Sequence, residues 1–378
     1  MYIGEKLKLR RKKAGFTQEQ VAEKMNITRQ TLSNWEVGKN YPDIDSIISL
    51  SQIYNLSLDE LLLGKIHFKG EFVMNKRLTL DEITALLKKH YPTAINMKEL
   101  NGGLVSQTYL FEDGEQHFIF QVGNQHESYK KEQFIGKELM KWLPVRNVLE
   151  INQDDNGIAY SISTFIEGEK LYDLNSQELL DIVPAVLETL ETLESIEVSV
   201  DKQGYGYFDS NGNASYPTWL DFISAVYNND IYNWSSLEQK GLDSEVVHQA
   251  MKELKSHIKN IPISSRNIVH GDLGSFNLLA KNNKVTGIID WSLSLYGDHL
   301  YDKANILFWN EKKLQPLIKE ITNKYITTFE TREIVYCYML RIGLEELYNT
   351  VIREFVGYDI EWVANRLNEI MRNFLYQK

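Results

Sequence analysis

The residues of this chain that can do chemistry are densest between positions 270 and 290. Asp272 and Asn277 stand in an Asp-x-x-x-x-Asn spacing, and Asp290 follows shortly after. Phosphoryl transfer needs a carboxylate that orients the acceptor hydroxyl and takes its proton, and it needs oxygen ligands that hold Mg²⁺ against the phosphates. Two carboxylates and a carboxamide meet both needs, so the pattern predicts Mg²⁺-dependent phosphoryl transfer. The alternative is a polar hairpin end whose carboxylates only cap turns.

A β-hairpin must gather these side chains. The segments on either side of Asn282-Asn283 predict two strands joined by a two-residue turn. In that register Asn277 faces Ile288, so Asp290 is a diagonal neighbour of Asn277 on the same face. Asp272 lies in the turn just before the first strand, where it can reach the same cation.

Three further residues flank the hairpin. His270 fits a support that holds the turn through hydrogen bonds better than it fits a catalytic base. Asp302 is predicted to cap a helix or anchor a turn, and the role of Asp298 is left open.

The elements around the hairpin form a strand-rich part followed by a helical part. Thr79 and Glu82 make a capping box that opens a helix over residues 80–90. Strands are predicted at 96–100, 108–112, 116–122, 145–152, 158–165, 278–281 and 284–289, with a helix at 129–143. From about residue 171 onward the pattern is mainly helical.

The charge of the chain is uneven. Residues 1–40 carry a net charge of +5, whereas the whole chain carries −11, so the remainder is strongly acidic. A basic head suits nucleic acid, and an acidic body suits cationic small molecules or serves solubility alone.

Two short helices in the basic head fit helix-turn-helix geometry. Thr17 caps a helix at 18–24, and Thr28 caps a second helix at 29–36, whose apolar Leu32 and Trp35 turn inward. The second helix would lie in the major groove. The predicted DNA-binding residues are Gln18, Thr28, Arg29, Gln30, Ser33, Asn34 and Lys39.

Cysteine content and hydropathy point to the cytoplasm. Cys337 is the single cysteine and cannot form an intrachain disulfide. No apolar run approaches the roughly 20 residues of a membrane helix, so no membrane partner is expected.

The head resembles the phage-repressor (Cro/CI, XRE-like) family. Thr17-Gln18, Ala22, Trp35-Glu36, Gly38 and Pro42 carry the resemblance over nearly all of residues 3–64. It implies binding to double-stranded DNA, and a homodimer is expected because such heads bind paired half-sites. A helical protein-interaction domain that does not touch DNA is the alternative.

The body resembles the aminoglycoside phosphotransferase and choline kinase superfamily, hygromycin B phosphotransferases in particular. The segment HGDLGSFNLLAKNNKVTGIIDWSLSLYGDHLYDKANILFW carries this resemblance, as do GYGYF, YPTWLDFI and YMLRIGLEELYN, over most of residues 95–375. It implies an α+β fold of the protein-kinase type, with a β-rich N-lobe and a helical C-lobe. It also implies ATP or GTP as donor, Mg²⁺, Asp272 as the catalytic carboxylate, and Asn277 and Asp290 as metal ligands.

The nucleotide site departs from the kinase pattern at one strand. Gln121 stands where the phosphate-binding lysine is expected, and glutamine carries no charge. Lys130 or Lys131 could supply it, with Glu132 or Glu138 as the helix carboxylate. The remaining predicted nucleotide contacts are Gly102, Gly103 and Ser106 of the glycine turn and the backbone of Phe165 and Ile166 at the hinge.

The acceptor is expected to be an aminoglycoside or aminocyclitol, for which an acidic, aromatic pocket is suited. The predicted acceptor-binding residues are Trp219, Asp298, Trp309, Glu345 and Glu346. Domain bounds are predicted as a helix-turn-helix domain at 1–65, a linker at 66–77, an N-lobe at 78–168 and a C-lobe at 169–378. Two functions stay open: a resistance kinase whose head represses its own operon, and a regulator whose kinase-like body only senses a ligand.

Overall fold

The computed structural model describes residues 16–54, 77–100, 106–154, 157–199, 202–228, 231–234, 244–261, 266–351 and 359–376, with Gly4, Leu7, Lys8 and Arg11. The chain divides into two compact units, one drawn from 1–70 with 229–233 and the other from 71–228 with 234–378. Residues 66–76 of the predicted linker lie outside the described residues, so the domain bounds stay predictions. No helix among the described residues is long and apolar enough to cross a bilayer.

Among the residues that the structure describes, the first unit includes the helices α1 (Gln18–Lys24), α2 (Arg29–Glu36) and α3 (Ile44–Ile53). Thr17 closes a capping box with Gln20, and the Thr28 hydroxyl accepts from the backbone of Thr31, so both predicted caps are confirmed. Their apolar faces enclose a core of Leu7, Val21, Leu32, Trp35, Leu50 and Tyr54.

The second unit opens with the strand-rich lobe. It runs α4 (Leu80–Lys88), β1 (Ile95–Leu100), β2 (Gln107–Asp113), β3 (Gln116–Gly123), α5 (His126–Leu139), β4 (Val148–Gln153) and β5 (Ala159–Thr164). The antiparallel sheet has the order β1-β2-β3-β5-β4. One face buries Phe111, Phe118, Phe120, Tyr160 and Ile162 against Ile83, Leu86 and Leu87 of α4. Because side chains alternate along a strand, Gln121 and its partner Ser161 lie on the opposite face.

The helical lobe follows. Its elements are β6 (Glu169–Lys170), α6 (Ser176–Ser195), β7 (Tyr205–Phe208), β8 (Ala214–Tyr216), α7 (Trp219–Ser224), α8 (Ser244–His257), β9 (Asn267–Val269), β10 (Leu278–Lys281), β11 (Lys284–Ile288), β12 (Leu295–Gly297), α9 (Leu300–Trp309), α10 (Gln315–Tyr325), α11 (Phe329–Val351) and α12 (Ile360–Tyr376). The hairpin β10–β11 pairs with β6, and a second sheet has the order β8-β7-β12-β9. The predicted α+β class, with a strand-rich lobe before a helical one, is confirmed.

The predicted register of the β10–β11 hairpin is wrong at its open end. Lys281 pairs with Lys284 as predicted, but Leu278, not Asn277, faces Ile288, because the register shifts between Leu279 and Ala280. A β-bulge of this kind inserts one residue into one strand and increases the local twist. Asn277 therefore lies opposite Ile289, whose amide donates to the Asn277 carbonyl at 3.0 Å.

Candidate active site

The loop between β9 and β10 brings Asp272 and Asn277 into direct contact. The Asn277 Nδ2 amide donates to the Asp272 main-chain oxygen at 2.8 Å and to its Oδ2 at 3.0 Å. Gly271 in this loop has φ +83°, and a Cβ there would meet the Leu293 carbonyl oxygen at 2.2 Å, so only glycine fits the turn. The predicted pairing of a carboxylate with a carboxamide is present in the structure.

A turn of the backbone after β11 places Asp290 near Asp272 and Asn277. It follows β11 in the left-handed region, with φ 60° and ψ 67°, and its Oδ1 accepts from the Ser292 hydroxyl at 2.7 Å. Burial and then the negative charge of Asp290 raise the pKa of Asp272 to about 7. Asp272, Asn277 and Asp290 thus converge, although through a bulge and a turn and not through the diagonal contact that the sequence predicts.

His270 and Asp302 hold the loop from behind. The Asp302 carboxylate accepts from the His270 amide at 2.9 Å and from the Gly271 amide at 2.8 Å. The imidazole is fully buried, with Nε2 3.0 Å from the Ile289 carbonyl oxygen and Nδ1 3.3 Å from the Asp272 amide. Both ring nitrogens are therefore engaged with the backbone. The interpretation of His270 as a support and Asp302 as a turn anchor is confirmed.

The donor set fits a magnesium ion that also binds phosphate oxygens. Mg²⁺ prefers oxygen ligands and is usually held by one or two carboxylates together with substrate phosphates. Asp290 and the Asn277 carboxamide offer such oxygens, and a cation at this site would offset the repulsion between Asp272 and Asp290. Among the residues that the structure describes, no group of three or more His, Cys, Asp or Glu residues could hold a metal by itself.

Gln121, which stands at the strand position of the expected lysine, lies beside an arginine. Gln121 accepts a hydrogen bond at its Oε1 from the Arg146 Nη1, 2.9 Å away. Lys130, predicted as a nucleotide ligand, instead pairs with Glu127 at 3.1 Å on the exposed side of α5. Lys131 is buried and donates to the Ser292 and Ser294 carbonyls at 3.0 Å and 2.6 Å. The cation beside Gln121 is Arg146. That Lys130 or Lys131 supplies the missing charge to a nucleotide stays a prediction.

Glu132 is an α5 carboxylate that lies near Arg146 and Asp290. Burial raises its pKa to about 7, the charge of Arg146 opposes this shift, and the charge of Asp290 adds to it. The pKa of Glu132 therefore depends on the charges of both Arg146 and Asp290. Of the two helix carboxylates that the sequence leaves open, Glu132 and Glu138, Glu132 is the one near Arg146 and Asp290.

The glycine turn and the hinge are only partly described. Gly102 and Gly103 lie outside the described residues, and Ser106 is half-buried just before β2. The Phe165 amide donates to the His117 carbonyl at 3.3 Å. A cavity of about 390 Å³ borders Phe165, but it is also lined by residues 280–283, at the far end of the hairpin from Asn277. The predicted adenine contacts of Phe165 and Ile166 stay predictions.

The predicted acceptor ligands lie mostly in buried contacts. Trp219 is 3 % exposed and donates from Nε1 to the Tyr338 hydroxyl at 2.8 Å, and that hydroxyl donates to Asp298 Oδ2 at 2.7 Å. Glu345 accepts from Arg341 Nη1 at 2.6 Å and from the Tyr207 hydroxyl at 2.8 Å. An acceptor contact from Trp219 or Asp298 would require this core to open, and Arg341 compensates the charge of Glu345.

The other two predicted acceptor ligands lie nearer the surface. Trp309 is half-buried and stacks on Trp362, with ring centroids 5.5 Å apart and planes at 9°. Glu346 is also half-buried. These two positions stay predictions, and the Trp309–Trp362 stack adds an aromatic surface that the sequence pattern does not predict.

Comparison with known proteins identifies the body of the chain. The model of the phosphotransferase enzyme family matches residues 96–334, which include the converging Asp272, Asn277 and Asp290. The chain belongs to the phosphotransferase enzyme family.

Relatives of this phosphotransferase include hygromycin-B 4-O-kinase of Escherichia coli, which is 29% identical over 306 residues, 78% of this chain and 86% of the relative. Among solved structures, a thermostable mutant of aminoglycoside phosphotransferase APH(4)-Ia in a ternary complex with ADP and hygromycin B matches with a TM-score of 0.71 and 28% identity. That match covers 77% of this chain and 98% of the other. The kinase-like fold implied by the resemblance is therefore confirmed.

In the first unit of the phosphotransferase, one face of α2 is polar and accessible. Arg29 and Gln30 are exposed and Ser33 and Asn34 are half-buried, whereas Leu32 and Trp35 pack inward. Arg29 Nη1 lies 2.9 Å from Glu19 Oε1, and Gln30 Nε2 donates to Asn34 Oδ1 at 3.0 Å.

A buried ion pair ties Arg11 to Glu36 at the end of α2. Glu36 is 2 % exposed and lies 2.6 Å from Arg11 Nε, and it also accepts from Gln18 Nε2 at 2.8 Å. Gln18, predicted as a phosphate contact, thus also holds Glu36 in place, while Thr28 caps α2 and Lys39 is exposed. The sequence pattern did not predict this ion pair.

The head matches known regulators. The helix-turn-helix family model covers residues 7–61. The HTH-type transcriptional regulator ImmR of Bacillus subtilis is 49% identical over 65 residues, which are 17% of this chain and 50% of that protein. The phosphotransferase therefore carries an N-terminal helix-turn-helix domain, and the chain spans about half the length of this regulator.

Proposed function

We propose that this protein transfers the γ-phosphoryl group of ATP or GTP to a hydroxyl of an aminoglycoside-type acceptor, and that its N-terminal domain binds DNA. The observation that carries the proposal is the convergence of Asp272, Asn277 and Asp290. Asp272 orients the acceptor hydroxyl and takes its proton, while Asn277 and Asp290 hold the magnesium of the nucleotide. Mg²⁺, when bound, neutralises the charge on the phosphates during transfer.

The acceptor class follows from the relatives and from charge. The Escherichia coli relative is a hygromycin-B 4-O-kinase, and a solved relative forms a ternary complex with ADP and hygromycin B. An aminoglycoside is a polycation, and the part of the chain after residue 40 is strongly acidic. We therefore propose antibiotic resistance in the cytoplasm as the biological role.

Acceptor-dependent transfer tests the proposal. The full-length protein is incubated with MgATP or MgGTP and a panel of aminoglycosides that includes hygromycin B, and phosphorylated products are identified by mass spectrometry. We expect one or a few acceptors to be phosphorylated and Asp272→Asn to lower the rate about 100-fold or more, since a positioned general base contributes at least that much. No transfer to any member of the panel, with nucleotide bound, contradicts the proposal.

A ligand sensor is the second candidate, and the observation that favours it is Gln121 in place of lysine. In that case the body binds an aminoglycoside and nucleotide without transfer, and ligand binding changes the affinity of the head for DNA. Binding of an acceptor with full occupancy of MgATP but no phosphorylated product selects this candidate.

The DNA-binding function rests on α2 and on the positive charge of the head. Arg29 and Gln30 present donors that suit guanine and adenine edges, and the net charge of +5 over residues 1–40 suits phosphates. We propose that the head binds an operator as a homodimer and represses its own operon. Selection from random duplexes followed by sequencing should return a palindromic site, and recovery of no enriched sequence contradicts this.

A further inference from the structure

The N-lobe holds a half-buried cation beside Gln121. The lysine expected on β3 is absent, and the guanidinium beside Gln121 comes from Arg146, which lies on the segment between α5 and β4. Because β3 is the centre of the sheet and Gln121 points away from the hydrophobic core, this guanidinium lies on the face of the sheet that α5 covers.

The segment that carries Arg146 is fixed on both sides. The Pro144 carbonyl accepts from the Ile288 amide at 2.8 Å, and Val145 forms a parallel bridge with Ile288. On the other side, the Thr164 amide donates to the Asn147 carbonyl at 2.9 Å. Arg146 is therefore held between the strand that leads to Asp290 and the last strand of the N-lobe sheet.

A glycine of α5 allows this segment to approach. A Cβ at Gly136 would meet the Arg146 carbonyl oxygen at 2.9 Å, which is closer than side chains tolerate. The helix therefore packs directly against the backbone of Arg146. The positive charge of the Arg146 guanidinium lowers the pKa of the Glu132 carboxyl on this helix.

The polar groups around Arg146 are incompletely satisfied. The Arg146 Nε, one carboxylate oxygen of Glu132 and the Ser161 hydroxyl are buried, and none of them has a hydrogen-bond partner among the residues that the structure describes. A buried donor without a partner costs free energy, so the Arg146 Nε and the Ser161 hydroxyl are suited to a ligand whose oxygens accept hydrogen bonds. Arginine presents a planar set of donors that binds phosphate through two parallel hydrogen bonds.

We propose that Arg146 contacts the phosphates of the bound nucleotide and replaces the lysine expected at position 121, with Gln121 and Glu132 orienting the guanidinium. This inference rests on the proposed function, because it assumes that the cleft binds a nucleotide. It places the phosphate-binding cation on the segment after α5 instead of on β3.

Nucleotide binding without catalysis tests the proposal. The affinities of the full-length protein for MgADP and for adenosine are measured by isothermal titration calorimetry. Adenosine has no phosphates and reports on the adenine contacts alone. Arg146→Met should weaken MgADP binding about tenfold or more and leave adenosine binding unchanged, because one charge-assisted contact is lost. Lys141→Met removes one exposed positive charge from the same segment and should change neither affinity.

A rescue separates the phosphate contact from a structural role. Gln121→Lys in the Arg146→Met background should recover most of the lost MgADP affinity, since a lysine returns to the strand. An unchanged MgADP affinity in Arg146→Met, an equal loss for adenosine, or no recovery in the double variant overturns the proposal. If thermal melting shows that Arg146→Met does not fold, Arg146→Lys takes its place. A loss of at least about threefold, confined to MgADP, is then expected because lysine lacks the planar set of donors, and its absence overturns the proposal.

These experiments test the role of Arg146 separately from the proposed phosphotransferase activity. If MgADP binding depends on Arg146 but no acceptor is phosphorylated, the role of Arg146 stands and the phosphotransferase activity does not. If the wild-type protein binds no nucleotide, both fail.

Discussion

The amide of Asn277 has two tasks at the candidate site. Its nitrogen holds the backbone and the carboxylate of Asp272, and its oxygen is the atom that can bind a cation. The Asp-x-x-x-x-Asn spacing predicts this contact because both residues belong to one short loop. Arg146 was not predicted, since it reaches Gln121 only through the bridge between Val145 and Ile288, residues far apart in the sequence.

Asn277→Ala should therefore lower the phosphoryl-transfer rate about 10- to 100-fold, which corresponds to the loss of hydrogen bonds to a charged group. The loss of the amide oxygen should also raise the Mg²⁺ concentration needed for half-maximal nucleotide binding. Steady-state kinetics and nucleotide titrations at several Mg²⁺ concentrations measure the two effects. Asn211→Ala, an exposed asparagine of the same lobe, is the matched control. A wild-type Mg²⁺ requirement in Asn277→Ala would remove Asn277 from the proposed metal ligands.

At the scale of elements, the two-residue turn of the β10–β11 hairpin was predictable and its open end was not. The turn fixes the register at Lys281 and Lys284, but the register shift between Leu279 and Ala280 places Leu278 opposite Ile288. The sequence carries no signal for that shift, because it depends on how the strand packs between β6 and the Pro144–Val145 segment. The metal ligands still converge, since the left-handed turn at Asp290 redirects its side chain.

The loop before β10 depends on a glycine in the left-handed region. Gly271→Ala should destabilise the protein by about 2 kcal/mol more than Gly114→Ala and should lower transfer activity. Both glycines have positive φ, 83° and 62°, but a Cβ at Gly271 would strike the Leu293 carbonyl oxygen, whereas nothing lies within 4 Å of a Cβ at Gly114. The pair therefore separates steric conflict from backbone strain. Chemical denaturation provides the measurement, and equal destabilisation by both changes would show that the contact with Leu293 is easily relieved.

The helix-turn-helix head depends on the ion pair between Arg11 and Glu36. Its side chains are 9% and 1% exposed, so removal of one partner leaves a buried charge. Glu36→Ala should cost about 3–5 kcal/mol in the free energy of unfolding of the head. Arg29→Ala breaks the exposed pair with Glu19 and should leave the free energy of unfolding almost unchanged, because solvent screens that pair. The free energy of unfolding of the head in both variants is measured by the denaturant dependence of proteolysis within the head. Similar losses in the two variants would contradict the assignment of a structural role to Glu36.

At the scale of the whole molecule, the sequence predicts the order of a basic head, a strand-rich lobe and a helical lobe. Each of these depends on local periodicity and charge, which a single sequence contains. The acceptor ligands were harder to predict, because acidic and aromatic residues such as Glu345 and Trp219 also build the C-lobe core. Residue type alone does not separate a pocket wall from a buried network.

Two compact units in one chain predict two functions that can be removed separately. Arg29→Ala should weaken operator binding by about 1–3 kcal/mol and leave phosphoryl transfer unchanged. Asp272→Asn should abolish transfer and leave operator binding unchanged. Operator titrations and product analysis on the same two preparations measure both functions. Loss of both functions in either variant would show that the units do not act separately.

Release of the operator by the acceptor would require the two sites to be coupled in free energy. Coupling is reciprocal, so if a saturating aminoglycoside lowers operator affinity by some factor, saturating operator must lower aminoglycoside affinity by the same factor. Using Asp272→Asn for this measurement keeps the acceptor unmodified during the titration. We expect about a 5- to 150-fold reciprocal change, the usual range of allosteric coupling. An operator affinity that is the same with and without a saturating aminoglycoside would mean that the head represses independently of the acceptor, and that only the kinase activity responds to it.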